Sequence, residues 1–510
     1  MPKSTSEAVE DPNNQGIVGE NFMAPSEIRE KFLSNLIDKD SYKWYALVVV
    51  EMSILLVGVD STISNLALPS ITKELVTTAS TSAWVISAFF ISVAVSLPAA
   101  GRLSDLYGMR TIFITGFFVY TLATAFCGLA PSIEILILMR VLQGIGGAAL
   151  LANSNVISLT VFPLKQHGLA LGINGTVFSI GYALGFTLGG QLIGSFGWRS
   201  IYYVNVPTGI IAILMGLFIL KEQYLRNVIA DKSDKSFDFA GFLLSAFGIG
   251  ATMLSIVKIS SGRSITAQSI ILFILGISSI IIFVKTEIRM KKPLIDIHLF
   301  SIAEFARGTF TRLLNNSIVA ACTFAIPFFT QQVLNFSPLQ SGLVMMPYAF
   351  GLAIVGPIAG RLSDKYGAKW LTTSGFICGG IALIGLESIS EAPSSATSLE
   401  EIVIKLSIAM FLLGSATGLF VSPNNSSALD SVPLKNTGSA SGVIWAVSFI
   451  GSAFGTAYAA SILREVLKVG TIAIAYLNAQ SLLFNTLTIF SFIGGYLCFT
   501  RGKTKTAQHE

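Results

Sequence analysis

The chain has 510 residues, 52% of them apolar and only 12% charged, with a mean hydropathy of +0.71. Soluble domains carry about 25% charged residues, so this composition excludes a soluble globular protein and points to an integral membrane protein. The net charge of +5 is small for the length, and the basic residues form no single stripe, which excludes a nucleic-acid-binding protein.

The first 43 residues are polar and lack the short apolar core of a cleavable signal peptide. Within them Ile28, Phe32, Leu33, Leu36 and Ile37 share one face of a short helix, expected to lie on the membrane surface. The first span then serves as the targeting signal. A bilayer core of about 30 Å needs about 20 apolar helical residues. On that length the sequence predicts 14 spans, near 44–64, 83–101, 111–130, 133–157, 169–193, 200–220, 239–258, 267–285, 308–332, 340–360, 370–388, 402–427, 438–462 and 480–500. An even number puts both termini on one side. The tails and loops of that side hold 24 of the 33 Lys and Arg residues; the opposite loops hold seven, and Arg140 and Arg312 fall within spans. Basic residues concentrate on the cytoplasmic side, so both termini are expected inside, with the protein in the plasma membrane.

In span 1, Asp60-Ser61-Thr62 precedes Asn65-Leu66-Ala67-Leu68-Pro69. An ionisable group inside a span is costly and usually functional. Ser53, Asp60 and Ser64 share a helical face, which predicts a wet cavity, with Asp60 carrying a proton, touching a cationic substrate, or making a static hydrogen bond between helices. Glu51, half a turn round from Asp60, either takes part in transport or reaches the interface. Span 4 holds Arg140, Gln143, Gly144, Gly146 and Gly147. Its arginine stays charged and needs a carboxylate, carbonyls or water; Asp60 is the expected carboxylate. Span 5 holds Gly172, Gly181, Gly185, Gly189 and Gly190, spaced for close helix approach. Beside them Phe178, Tyr182 and Phe186 form an aromatic ladder, for a lipophilic cation or for packing. In the last six spans Arg312, Asn315, Asn316, Asn424 and Asn425 either line a cavity or bond between helices.

Two ordered repeats tie the halves together. Gly101-Arg102-Leu103-Ser104-Asp105-Leu106-Tyr107-Gly108 returns as Gly360-Arg361-Leu362-Ser363-Asp364-Lys365-Tyr366-Gly367, a charged, glycine-bounded turn between apolar spans. Pro163-Leu164-Lys165 followed by Gly168, Ala170 and Gly172 returns as Pro433-Leu434-Lys435 followed by Gly438, Ala440 and Gly442. Spans 1–6 therefore pair with spans 9–14, and spans 7 and 8 are an insertion. The expected organisation is a tail (1–43), a six-span half (44–220), a linker with spans 7 and 8 (221–307), a second six-span half (308–500) and a tail (501–510).

These motifs together resemble the major facilitator superfamily, in its 14-span drug:proton antiporter branch, over nearly everything from Trp44 to Arg501. The resemblance implies an all-α fold of two six-helix repeats plus two inserted helices, with the halves rocking around a central site. It implies proton-coupled export of hydrophobic or cationic small molecules, with Asp60, Arg140, Gln143 and Glu51 in coupling or substrate contact. It gives the repeated octapeptide a gating role: Gly101, Asp105, Gly108 and Arg110 would latch one half, Asp364 and Lys369 the other. Leu106 and Met109 stand where the family often has basic residues. The span-5 glycines match the antiporter pattern except that Phe186 replaces a proline, which keeps open a dedicated metabolite, sugar or siderophore exporter, or an importer; a non-transporting sensor stays open because fold alone does not establish activity.

Other chemistry is not expected. Cys127, Cys322, Cys378 and Cys498 lie singly in separate spans and read as buried small hydrophobes, without metal spacing. Three ungrouped His give no basis for a metal site or an enzyme. Gly502-Lys503-Thr504 ends like a P-loop, but Leu497 occupies the first glycine position. No cofactor and no nucleotide are expected; the partners are the bilayer, protons and a small-molecule substrate, and the chain is expected to work as a monomer.

Overall fold

The computed structural model describes residues 39–163, 166–225, 238–260, 266–290, 293–390, 398–433, 437–466 and 472–501. The predicted surface helix around Ile28–Ile37 lies outside them. The chain separates into Met1–Trp44 and Tyr45–Glu510, and the packing of the helices lies within the second unit. Among the described residues the regular elements are helical, and 14 of them are long and apolar enough to cross a membrane. They are α1 (Lys39–Glu74), α2 (Ala79–Tyr107), α3 (Met109–Leu129), α4 (Ile133–Val161), α5 (His167–Phe196), α6 (Asn205–Ile219, after a one-turn helix Ser200–Tyr203), α7 (Phe239–Ser260), α8 (Ala267–Glu287), α9 (Ala303–Phe328), α10 (Pro338–Tyr366), α11 (Ala368–Ser390), α12 (Leu399–Asp430), α13 (Thr437–Val466) and α14 (Ile472–Phe499).

The octapeptide is not a turn. Both copies are the last two turns of a helix, so α2 and α10 run past the predicted ends of their spans to Tyr107 and Tyr366. The residues between the glycines are all compatible with helix. The break comes at the closing glycines, Gly108 at φ +93° and Gly367 at φ +79°, a backbone region that glycine enters without steric cost. Each cap is the same: Gly108 N–H donates to Ser104 O at 2.9 Å and Gly367 N–H to Ser363 O at 2.8 Å.

The duplication extends into packing. Ala67-Leu68-Pro69 of α1 matches Ala325-Ile326-Pro327 of α9, an offset of 258. With that register and the offset of 270 for the α4–α5 and α12–α13 regions, the buried cluster of Leu47, Phe162 and Ala170 corresponds to Phe305, Val432 and Ala440, which belong to one cluster in the second half. Glycines do matched work. A Cβ at Gly181 would lie 3.1 Å from Leu55 O of α1, and one at Gly451 2.5 Å from Leu313 O of α9. Gly144 faces Phe89 O of α2 at 2.7 Å, and Gly414 meets the backbone of Tyr348 on α10.

The halves meet through α2 against α13 and α5 against α10, pairs that exchange under the repeat. At the end away from the tails, Gln331 Nε2 donates to Leu66 O at 3.0 Å from the π-helical turn Phe329–Val333 that follows α9. Nearby, Gly190 abuts Pro338 O and Leu339 Cα, both at 2.7 Å from its built Cβ, and Gly342 abuts Phe186 O. This end is closed. At the tail end, positions Gly172 and Gly175 of α5 have no neighbour within 4 Å of a built Cβ. The α7–α8 hairpin packs on the α2 and α13 side through α7. Its spans are only 22% buried against 89% for α9, so it is peripheral, with Ile271, Ile274 and Ile281 turned outward as a lipid-facing surface.

Candidate functional site

Asp60 and Arg140 meet as the sequence predicts. Arg140 Nη1 donates to Asp60 Oδ2 at 2.6 Å and to Gln143 Oε1 at 2.6 Å, and Arg140 Nε donates to Val85 O at 2.9 Å. Gln143 Nε2 donates to Thr124 Oγ1 at 2.8 Å and reaches Asp60 Oδ1 at 3.5 Å; Ser64 Oγ donates to the same oxygen at 3.3 Å. The Arg140 guanidinium lies 4.4 Å from the centre of the Phe89 ring. Helices α1, α2 and α4 thus contribute partners to one pair of charges, and α3 holds Gln143 beside it through Thr124. All three of Asp60, Arg140 and Gln143 have no exposed surface.

That burial corrects the predicted wet face. Ser53, Asp60 and Ser64 are all 0% exposed, because this face of α1 turns into its own six-helix half. Ser53 does not join the cluster: it donates to Val50 O at 2.6 Å and pairs with Ser154 at 3.0 Å. A buried ion pair in low dielectric is held by its geometry and by hydrogen bonds to the remaining lone pairs. Here most of these are made.

Among the described residues the second half has no such cluster. The repeat register places Ile318 opposite Asp60, Met410 opposite Arg140 and Leu413 opposite Gln143, and all three are buried. The Ala-Leu-Pro and Ala-Ile-Pro match that fixes this register is readable from the sequence alone.

Glu51 lies apart, half-buried, with Oε2 unpartnered. With the Asn174 amide turned so that its nitrogen faces α1, it donates to Glu51 Oε1 at 2.6 Å and to Ala170 O at 2.9 Å. Glu51 therefore belongs to a polar seam between α1 and α5, not to the Asp60 cluster.

The predicted latch residues are not joined. Asp105 is exposed, while Arg110 Nη2 donates to Leu217 O at 3.0 Å on α6. The carboxylate at the N-terminus of α3 is Glu222, whose side chain fills the space beside Gly108. It favours the positive helix end, and no motif in the sequence announced it. The Asp364 side chain lies outside the described residues, and Lys369 Nζ sits 4.6 Å from the Phe499 ring centre. Gly101 has nothing within 4 Å of a built Cβ.

The five polar residues of the second half separate. Asn424 accepts from Arg501 Nη2 and donates to Gly308 O at 3.2 Å; Arg501 also donates to Thr311 at 2.7 Å. Arg501 is 2% exposed, a buried clamp between α9, α12 and the end of α14 that sequence reasoning assigned to a tail. Asn316 donates to Ser448 O at 3.1 Å on α13. Arg312 Nε donates to Ser448 Oγ at 2.8 Å, but its Nη1 is buried without a partner, as are Asn315 Oδ1 and Asn425 Oδ1. Asn424→Ala is expected to lower stability by about 1–3 kcal/mol, since it strips a buried partner from Arg501, and to leave substrate-driven proton movement intact; thermal unfolding in detergent beside a proton-release assay measures both.

The span-5 motif splits by function. Gly181 and Gly185 seat α1, Gly189 seats Ile63, and Gly190 seats the start of α10. Helix α5 is unbroken through Phe186, which is fully buried and meets Gly342 of the other half. The aromatic ladder faces the second half: Phe178 lies 6.2 Å from Trp445, and Tyr182 lies 6.2 Å from Tyr348, between ring centres.

The Major Facilitator Superfamily sequence profile matches residues 51–456. The chain is 30% identical to the riboflavin transporter RibZ of Clostridioides difficile (strain 630), over 83% of this chain and 89% of that protein. It is 31% identical to the multidrug resistance protein Stp of Mycobacterium tuberculosis (strain CDC 1551 / Oshkosh), over 83% of this chain and 76% of that protein. The solved structure of the xylose transporter XylE of E. coli, in a partially occluded inward-open conformation, superposes with a TM-score of 0.58 at 13% identity, covering 92% of this chain and 100% of that one.

Proposed function

The chain belongs to the major facilitator superfamily and is a multi-pass membrane transporter, and from that premise we propose that it uses the proton gradient to export hydrophobic small molecules, as a multidrug or related efflux pump of the plasma membrane. Both termini lie in the cytoplasm, on the basic side of the charge distribution. The observation that carries the coupling is the Asp60–Arg140 pair at 2.6 Å, fully buried in the first half and replaced by Ile318 and Met410 in the second. A proton arriving at Asp60 converts the carboxylate to a neutral acid and cancels its attraction for Arg140. The guanidinium then rests on Gln143 Oε1 and Val85 O, partners it already holds. Departure of the proton restores the pair.

Alternating access follows from the two seams between the halves. The end away from the tails is closed by Gln331 on Leu66 O and by Gly190 and Gly342. Opening it separates α5 from α10, while the tail end closes where Gly101, Asp105 and Gly108 in one half, and Asp364 and Lys369 in the other, end their helices. Asp105, exposed here, forms its latch only in that second state. No nucleotide or cofactor takes part, and one chain suffices.

The test is substrate-induced proton release in proteoliposomes, wild type beside Asp60→Asn. Coupling is expected to vanish in the variant; undiminished release removes Asp60 as the proton carrier. A dedicated metabolite exporter is the second reading, favoured by the similarity to a riboflavin transporter.

A further inference from the structure

Among the described residues, the three buried charged side chains deep in the spans are Asp60, Arg140 and Arg312. The first two neutralise each other. Arg312 is 6% exposed, and no described carboxylate pairs with it. Its Nε is committed to Ser448 Oγ, which fixes the plane of the guanidinium, and its Nη1 is an unpartnered buried donor. One turn further along α9, Asn315 Oδ1 is also buried and unpartnered. The repeat register puts Ile54, 5% exposed, at the matching position of α1. Each half therefore carries a charge where the other has isoleucine: Asp60 opposite Ile318, Arg312 opposite Ile54. Arg312 is displaced from the Asp60 level by six residues in that register, about 9 Å along a helix axis toward the tail end.

The surroundings of Arg312 are aromatic and come from both halves. Ser448, which accepts from Arg312 Nε, lies one turn from Trp445 and beside Phe449 on α13, and Tyr182 on α5 lies 6.2 Å from Tyr348 on α10 between ring centres. Tyr182 continues to Phe178, with ring centres 4.9 Å apart, and Phe178 to Trp445 and Phe449 on α13, the last two stacked at 6.1 Å. Tyr182, Phe178 and Trp445 are only half-buried, so their faces are not used up by packing. Flat ring faces stack planar molecules. A guanidinium with free N–H donors binds a carboxylate in a planar fork. A cation placed here meets an unpaired positive charge, while the carboxylate that would attract it is already held by Arg140.

We propose that the inter-half site selects planar aromatic anions, with Arg312 binding the acid group and the Tyr182, Phe178 and Trp445 rings binding the flat body. This rests on the transport reading above but reverses the charge expected of the substrate from the sequence.

The experiment uses the full chain in nanodiscs of neutral phosphatidylcholine, so that no anionic lipid competes. Three probes share one ring system: anthracene-9-carboxylate, its carboxamide, and anthracen-9-ylmethyl-trimethylammonium, with affinity read from quenching of probe fluorescence. The carboxylate is expected to bind about tenfold or more tightly than either, a difference in line with a charge-assisted hydrogen bond. Arg312→Gln should abolish that preference, Arg312→Lys should keep part of it, and unchanged melting temperatures certify the fold. Should Arg312→Gln fail to fold, Arg312→Lys carries the test through its graded loss of preference, beside Trp445→Ala, which should weaken all three probes alike. Equal binding of the three probes, a preference for the ammonium, no binding of any, or a carboxylate preference that survives loss of Arg312 each overturns the proposal. Asp60→Asn separates the two readings: it should leave the carboxylate preference intact while proton release fails. Intact preference in a wild type that releases no proton would reject the coupling and retain the anion site.

Discussion

Asp60→Ala is expected to be the most damaging single polar substitution in the first half, and its cause is Arg140. Removing the carboxylate leaves a guanidinium with no exposed surface and no counter-charge. Breaking a buried pair by deleting one partner costs about 3–5 kcal/mol, which for a membrane protein of ordinary stability means a large drop in melting temperature and in folded yield. The duplication supplies the repair. At the same three positions the second half is packed with Ile318, Met410 and Leu413, so Asp60→Ile, Arg140→Met and Gln143→Leu together should recover much of the stability that Asp60→Ala loses. Thr124 remains satisfied through its own bond to Tyr120 O at 2.6 Å. Substrate-driven proton release should be absent from the triple variant however well it folds. Melting curves in detergent and proton release in proteoliposomes decide it. A triple variant less stable than Asp60→Ala means that the cluster organises the half; a triple variant that still moves protons means that coupling lies elsewhere.

Gly455→Leu is expected to lose most of the folded protein, because the built Cβ meets backbone of Ser317 on α9 and backbone cannot rotate away. Overpacking costs about 1–3 kcal/mol and occasionally more, and a clash with backbone belongs at the upper end. The matched glycine Gly185 faces Val59 O at 2.7 Å on α1 and should behave alike. Gly181, with its nearest neighbour at 3.1 Å, should be milder, and Gly172, with nothing within 4 Å, should tolerate leucine as far as folding goes. Size-exclusion profiles of the detergent-solubilised variants test the order. Gly172→Leu as damaging as Gly455→Leu would show that the spacing of the motif, not the measured approach, sets its importance.

The number of spans, the duplication and the meeting of Asp60 with Arg140 were legible in the chain. Each rests on a property of single residues or of short spacings: apolar length, a repeated string, an intramembrane charge that must find its opposite. The octapeptide misled because its polarity resembles a loop, yet the last turns of a long helix project beyond the bilayer and tolerate the same residues. Arg501 misled in the opposite sense. It stands beyond the last apolar run and reads as tail, but Asn424, Thr311 and Glu304 on two other helices draw it inward.

By itself the sequence determined a helical membrane protein, since runs of about 20 apolar residues satisfy their backbone in hydrocarbon as helices, and its repeated strings determined two matched halves. Tertiary structure alone decided which charges are answered and which are left over. Asp60 sits on a face that sequence periodicity could assign to a wet cavity, and only packing against α3 and α4 turns it inward to Arg140. Arg312 looks like one more intramembrane arginine until the partner helices are in place. Sequence gives a charge its position along one helix, whereas compensation depends on what the neighbouring helices bring to the same depth, and here α13 brings Arg312 a hydroxyl where α4 brings Asp60 an arginine.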